Sequence, residues 1–281
     1  MKNKLVIVDY IFRNFYKNDF ELSAVEAIKR IQNKDQIEAE YIANKNLNSL
    51  WNMFVKKIDE HSESAMFPYA VINERSTQRF TNYCTLLKND SLKTKRLKLK
   101  LSRRAKIYEF IESLTWREYE AISVLIMEFV GAKDTRIHLT DPGNEFGVDF
   151  LALIPSYGKY HLFPNKTKTS RIIGQSKKWK TKTPRERISL LNDALTDFKR
   201  RRLEFIDKFP SWIFSSKNSI HGLVFSHSGF QSGARDLAND YGITIGNSYD
   251  LTEIISHHFE VDKTPDRIIE ILKDRLNDIL N

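Results

Sequence analysis

Two short stretches decide the fold, residues 147–154 (GVDFLALI) and residues 171–177 (RIIGQSK). Each is rich in β-branched and apolar residues, which is the pattern of a buried strand. The residues between them are rich in Gly, Pro, Asn and Lys, which is typical of a loop. The two stretches are therefore predicted to be strands that can pair as a hairpin.

Alternating helices and strands are predicted around this pair. Before it, Thr115 and Glu118 form a capping box ahead of an apolar series that Gly131 ends. After it, residues 184–209 have the periodicity of a long amphipathic helix. The elements predicted next are a strand at 220–227, a helix at 231–241, a short strand at 243–247, a helix at 250–258, and a terminal helix with Thr264 as N-cap.

The N-terminal region differs from the rest in its pattern. Residues 23–60 have helical periodicity, and residues 93–106 carry eight basic side chains and no acidic one. This basic segment is interpreted as a junction, or as an exposed strand followed by the start of a helix. We place the domain boundary there, with a helical domain over 1–100 and a second domain over 101–281.

Composition narrows the class of protein. The chain has 281 residues, a formal net charge of +9 and one cysteine, Cys84, which excludes an internal disulfide and a CxxC metal site. A basic balance favours a polyanionic partner, because Lys and Arg gain from neutralising phosphates. Asp9 interrupts the first apolar run, and residues 121–130 fall short of the roughly 20 residues that span a bilayer. We expect a cytoplasmic protein without a membrane anchor.

The two predicted strands carry residues suited to phosphodiester cleavage. That reaction needs a divalent cation held by oxygens, an activated water, and positive charge near the phosphate. Asp149 can anchor the metal with the backbone carbonyl of Ser176, and Lys177 can orient the water. Gln175 and Lys177 point to the same face of their strand and can meet Asp149. Taken one by one, these residues also fit a plain strand end and a solvated lysine pair.

Four landmarks together resemble the catalytic domain of Mrr-type restriction endonucleases, within the PD-(D/E)XK nuclease superfamily. The resemblance runs from about Thr115 to Ile255 and preserves the family's order. Its landmarks are Tyr119 with Glu120, Gly147-x-Asp149, Gln175-x-Lys177 followed by Lys178 and Trp179, and residues 223–245 (LVFSHSGFQSGARDLANDYGITI).

The resemblance implies an α/β fold, with a restriction-endonuclease-like core whose central mixed sheet is flanked by helices. It implies an Mg²⁺-dependent endonuclease of double-stranded DNA, with Mn²⁺ as a substitute, that restricts foreign or modified DNA in bacterial defence. Asp149 and Glu120 would be metal ligands and Lys177 the catalytic lysine. Gln175 would take the position that is Glu in the wider superfamily and often Gln in this branch. Its amide oxygen can still bind a metal, but one negative charge is lost and metal affinity should be weaker.

The chain departs from the family pattern in two places. The turn before Gly147 lacks its first glycine, and the interval between Asp149 and Gln175 is long. From residue 150 to residue 185 there are nine Lys or Arg and no Asp or Glu, which predicts contacts with nucleic acid. We assign these contacts to Lys168, Arg171, Lys178, Lys180 and Lys182. Trp179 is interpreted as a packed residue, with stacking on a base as the alternative.

Other functions stay open at this stage. A catalytically silent nucleic-acid-binding module with the nuclease fold would explain Gln175, and a nuclease for branched DNA or RNA would use the same site. The N-terminal domain fits a helix-based DNA reader or a module that binds a defence-system partner. A homodimer is consistent with double-strand cleavage, because one such site cuts one strand.

Overall fold

The computed structural model describes residues 3–14, 19–64, 70–82, 91–143, 146–155, 169–215 and 218–281. Lys168 and the rest of the predicted basic loop lie outside these ranges, as does Asn144 in the turn before Gly147. The helices are α1 (Lys4–Asn14), α2 (Phe20–Gln32), α3 (Gln36–Ser64), α4 (Leu92–Ser102), α5 (Arg104–Ser113), α6 (Trp116–Phe129), α7 (Arg185–Arg200), α8 (Leu203–Lys208), α9 (Trp212–Ser215), α10 (Ser232–Tyr241), α11 (Ser248–His258) and α12 (Pro265–Leu280). The strands are β1 (Ala70–Glu74), β2 (Arg79–Asn82), β3 (Ile137–Leu139), β4 (Phe150–Pro155), β5 (Thr169–Lys177), β6 (Ile220–Ser226) and β7 (Thr244–Asn247).

A five-stranded mixed sheet forms the centre of the described C-terminal part, in the order β3-β4-β5-β6-β7. The first three strands are antiparallel, and β5, β6 and β7 run parallel. The predicted hairpin is confirmed, with Leu151 opposite Ile173 and Phe150 opposite Gly174. Helices between the parallel strands make the crossovers that such strands need. The sheet therefore has the predicted α/β architecture, a central mixed sheet flanked by helices.

The two faces of the sheet are covered by different helices. Along β5, Ile172 packs into a cluster with residues of α6, α11 and α12. Its neighbour Ile173 points to the opposite face and packs with residues of α7 and α10. This alternation follows from the two-residue period of a strand. It also decides the face to which each functional side chain of β5 belongs.

Several helix boundaries follow the sequence signals. The capping box of Thr115 and Glu118 is present at α6, and Thr264 caps α12. The prediction of one helix over 184–209 was wrong. Arg201 adopts a left-handed conformation with φ of 52°, which ends α7, and α8 begins after it. Basic residues 93–106 fall in α4 and the start of α5, so they are helical and not an exposed strand.

The N-terminal part is mainly helical, as expected, with the hairpin β1–β2 added to it. Helices α1, α2 and α3 share one apolar cluster, which includes Phe20, Phe54 and Phe80. The predicted boundary near residue 100 falls inside α4 and stays a prediction. None of the helices in the described ranges is long and apolar enough to cross a membrane.

Aromatic and charged contacts join the N-terminal part to the sheet domain. Arg13 on α1 forms two hydrogen bonds with the Glu112 carboxylate of α5 and lies 4.3 Å from the centroid of the Tyr108 ring. Tyr108 stacks on Tyr249 of α11, with ring centroids 4.5 Å apart. The His61 ring of α3 meets Tyr249 edge to face at 5.0 Å. Helix α5 is thus held from both sides.

Candidate active site

Asp149 lies directly before β4, and three of its hydrogen bonds join it to β5. Its backbone N–H donates to the Gly174 carbonyl at 2.8 Å, which aligns it with β5. Its Oδ2 atom accepts the Ser176 backbone N–H at 2.7 Å and the Lys177 ammonium at 2.8 Å. The structure therefore brings together the predicted carboxylate and the predicted lysine in one ion pair.

Gln175 is fully buried beside this pair. Its Nε2 donates to the Gly147 carbonyl at 2.6 Å. Because only the nitrogen of the amide can donate to a carbonyl, this bond assigns the positions of Nε2 and Oε1. Among the described residues, the Oε1 atom has no hydrogen-bond partner. A buried amide oxygen without a partner is costly, and a cation is a ligand that would satisfy it.

Gly147 allows Gln175 to approach the turn. Its φ is +65°, in the left-handed region that favours glycine. A Cβ atom at this position would lie 3.0 Å from Gln175 Nε2. The glycine of the Gly-x-Asp motif thus has two physical reasons, the backbone conformation and the room for the amide.

Ser176 faces Asp149 with its backbone and the other side of the sheet with its hydroxyl. The Lys177 carbonyl accepts a hydrogen bond from the His227 N–H, so it points toward β6. The N–H and C=O of a strand residue point to the same side, and neighbouring residues alternate. The Ser176 carbonyl therefore points toward Asp149, as its N–H does. The residue is 3% exposed, and its hydroxyl has no hydrogen-bond partner within the described ranges.

Glu120 reaches the site from α6. It is 8% exposed, and its Oε2 accepts from Arg117 at 2.9 Å. Burial raises the pKa of Glu120, and the negative charge of Asp149 raises it further, against the opposing charges of Arg117 and Lys177. Glu118, the alternative acid, closes the capping box of α6. Glu120 is therefore the acid of this helix that senses Asp149.

The oxygens around Asp149 are suited to a hard divalent cation. They are the carboxylates of Asp149 and Glu120, the amide oxygen of Gln175 and the carbonyl of Ser176. Within the described ranges, no group of three or more His, Cys, Asp or Glu side chains has the arrangement of a metal site. A cation here would need the amide and carbonyl oxygens, which Mg²⁺ and Ca²⁺ accept. The unpartnered Oε1 of Gln175 is the observation that supports this fit.

The chain is similar to two restriction endonucleases of known structure. One is the MspJI restriction endonuclease in complex with a 27-mer oligonucleotide, with 13% identity, a TM-score of 0.40, and coverage of 70% of this chain and 43% of that one. The other is the DNA modification-dependent restriction endonuclease AspBHI, with 12% identity, a TM-score of 0.39, and coverage of 64% and 40%. This chain thus matches less than half the length of each. No family model and no curated protein matches it.

Two of the residues expected to contact nucleic acid have partners inside the protein. Lys178 donates to the carbonyls of Ile111, Glu112 and Leu114 at the end of α5, and burial lowers its pKa. Arg171 is buried and donates to the carbonyls of Ile213 and Asn218. These contacts use the charges to hold a helix end and a loop.

Lys180 and Lys182 are exposed and lie just after the end of β5. Their positions fit the predicted role as phosphate contacts, which stays a prediction. Lys168 lies outside the described residues.

Two residues beside the site are not among those predicted from the sequence. Trp116 and Arg187 line a pocket with Glu120, Lys177 and Trp179. Trp116 precedes Glu120 by four residues, so both lie on one face of α6. That spacing was a signal that could have found Trp116. Arg187 gave no such signal, because its place depends on how α7 packs against the sheet.

Proposed function

We propose that this chain is a divalent-metal-dependent DNA endonuclease. The observation that carries the proposal is the Asp149 carboxylate, held by the Ser176 amide and the Lys177 ammonium beside a buried Gln175 oxygen that accepts no hydrogen bond from a described residue. A carboxylate, a lysine and neutral oxygens at one edge of two adjacent strands meet the requirements of phosphodiester hydrolysis. The exposed Lys180 and Lys182 beside them favour a polyanionic substrate.

Each residue has a distinct role in the proposed reaction. Mg²⁺, or Mn²⁺ in its place, would supply a Lewis acid and a water of lowered pKa. Asp149, Glu120, the Gln175 amide oxygen and the Ser176 carbonyl would hold it. Lys177 orients the attacking water and stabilises negative charge that develops on the phosphate. Gln175 brings no charge, so weaker metal binding than in a site with a third carboxylate is expected.

We assign the substrate as double-stranded DNA and the biological role as restriction of foreign or modified DNA. The support is the sequence resemblance to Mrr-type nucleases, together with the basic face after β5. The N-terminal part would choose the site or bind a defence-system partner. A homodimer would supply the second active site that a double-strand break requires.

Cleavage of supercoiled plasmid tests the proposal. Wild type should cut unmodified or methylated plasmid in Mg²⁺ or Mn²⁺ and not in EDTA. Asp149→Asn and Lys177→Met should each lower the rate by about 100-fold or more, the cost typical of removing a group that stabilises transition-state charge. The exposed residues Asp141 and Lys273 provide matched controls, and Asp141→Asn and Lys273→Met should cut like wild type.

Metal binding can be measured without any cleavage. A ligand at 100 times its dissociation constant stabilises the folded state by about 2.7 kcal/mol. The melting temperature of wild type should therefore rise when Mg²⁺ is added, and that of Asp149→Asn should not. Gln175→Glu should show the shift at lower Mg²⁺, because it restores a negative charge.

A catalytically silent DNA-binding module is the second candidate. Gln175 in place of an acid favours it, because the site then holds two carboxylates. DNA binding that persists in EDTA, with no cutting of any substrate and no Mg²⁺-induced shift in unfolding, would establish this alternative. A panel of duplex, branched DNA and RNA substrates would separate a duplex nuclease from one that acts on other shapes.

A further inference from the structure

A small pocket opens on the side of the catalytic residues where α6 begins. Its volume is about 240 Å³, and Trp116, Glu120, Ser176, Trp179 and Arg187 line it with the two lysines that follow Ser176. Pockets for drug-sized ligands usually measure about 300–1,000 Å³. This pocket is therefore sized for one small planar group and not for an extended ligand.

Two tryptophans line this pocket, and neither belongs to an apolar cluster of the described core. Trp116 is the first residue of α6, and 57% of its surface is exposed. Thr115 and Glu118 already complete the start of that helix. Trp179 is partly buried, and the Arg187 guanidinium lies 5.2 Å from its ring centroid. An exposed tryptophan beside a second tryptophan and a cation is a surface on which a flat aromatic group can stack.

Ser176 is one of the residues that line the pocket. Its hydroxyl is almost fully buried, and no described residue hydrogen bonds to it. Glu120 adds a carboxyl group to the same lining. A ligand for this pocket should therefore combine flat apolar faces with a polar edge that can hydrogen bond.

We propose that this pocket binds one unpaired nucleobase of the DNA strand that is cut at Asp149. The placement of the cut strand rests on the proposed endonuclease function. A nucleobase has two π faces for the indoles and a polar edge for Ser176 and Glu120. Bases inside a duplex have both faces covered by their neighbours, so a base must leave the stack or belong to a single-stranded segment to stack on protein. The substrate class is DNA with an unstacked nucleotide beside the scissile phosphate.

The test compares two oligonucleotides in EDTA, where no cleavage occurs. One is a short fluorescently labelled oligothymidylate, and the other has the same backbone with abasic residues in place of the bases. Both carry the same phosphates, so the affinity ratio isolates the contribution of the bases. Wild type should prefer oligothymidylate, and Trp116→Ala should lower the preference about tenfold, the effect of losing about 1.4 kcal/mol of stacking. Trp116→Phe should keep most of it.

Two further variants separate binding from folding. Ser176→Ala should also lower the preference for bases while its melting temperature stays at the wild-type value, because the hydroxyl has no partner to lose. Tyr41 on α3 is exposed and distant in sequence, and Tyr41→Ala should bind like wild type.

The outcomes distinguish this proposal from the endonuclease function. If wild type and Trp116→Ala show the same preference for bases, the pocket is not a nucleobase site, whether or not the protein cuts plasmid. A preference that Trp116→Ala removes would support the pocket, even if no cleavage is found. In that case the endonuclease function would fail while the nucleobase site stood.

Discussion

Gly147→Ala should damage the proposed metal site through one side chain. The added methyl group places a Cβ atom 3.0 Å from Gln175 Nε2, at a residue whose φ is +65°. The neighbour must give way, and the 2.6 Å hydrogen bond from Gln175 to the Gly147 carbonyl would be lengthened or lost. The buried amide would then no longer hold its oxygen toward the site.

The loss of stability expected in Gly147→Ala has two parts, and the same substitution at a second glycine measures one of them alone. A left-handed residue other than Gly costs about 1–2 kcal/mol, and a lost hydrogen bond costs about 1 kcal/mol net. Gly143 has a φ of +85°, and no atom of the other described residues lies within 4 Å of an added Cβ atom. Gly143→Ala should therefore show only the backbone cost, and Gly147→Ala about 2–3 kcal/mol in total. In a protein of this size each kcal/mol lowers the melting temperature by about 2–4 °C.

The assay is Mg²⁺ titration of plasmid cleavage, with thermal unfolding of both variants measured in parallel. Loss of about 1 kcal/mol from the Gln175 contact corresponds to roughly a fivefold higher Mg²⁺ requirement. Gly143→Ala should keep the wild-type requirement. Equal Mg²⁺ requirements in the two variants would refute the reasoning, because the contact with Gln175 is what distinguishes them.

Two further predictions concern His61 and Lys178. Burial first, and then the charges of Arg104 and Lys57, lower the pKa of His61 from 6.5 to about 4. Between these two pH values His61 takes up a proton in the unfolded state and not in the folded state. The free energy of unfolding should therefore be at its full value above pH 6.5 and fall by about 3 kcal/mol as the pH drops to 4. Between pH 7 and pH 4 the free energy of unfolding of His61→Phe should fall less than that of wild type. The control His221→Gln, at an exposed residue, should fall as wild type does. Lys178→Met should lower stability by about 1–3 kcal/mol with no change in the salt dependence of DNA binding, since its charge is used by α5. Lys180→Met should leave stability unchanged and reduce the slope of log affinity for DNA against log salt concentration by about 1. A reduced slope in Lys178→Met would show that its ammonium reaches phosphate.

The pairing of β4 with β5 and the faces of Gln175 and Lys177 could be predicted because they depend on local rules. Strand parity places Gln175 and Lys177 together, and the structure brings Lys177 to Asp149. The capping box of α6 is equally local. The roles of Asp149 and Glu120 as metal ligands stay predictions.

Contacts that depend on tertiary packing could not be predicted. Phosphate contacts of Lys178 and Arg171 stay predictions, and in the structure both side chains donate to backbone carbonyls, which attract a cation as phosphates do. Composition cannot tell which acceptor will be near. The hairpin β1–β2 has no local signal for a related reason, since its Phe80 is buried against Phe20 of α2 and Phe54 of α3.

The contacts of α5 with α1 and α11 limit how the N-terminal part can be exchanged. A chimaera that replaces residues 3–64 would remove Arg13 from Glu112 and uncover the paired rings of Tyr108 and Tyr249. The end of α5 is also where Lys178, next to Lys177, is held. A transplanted recognition module would therefore need its own cation and aromatic groups at these positions. Swaps that keep residues 7–13 and 57–61 should give soluble hybrids more often than swaps at residue 100.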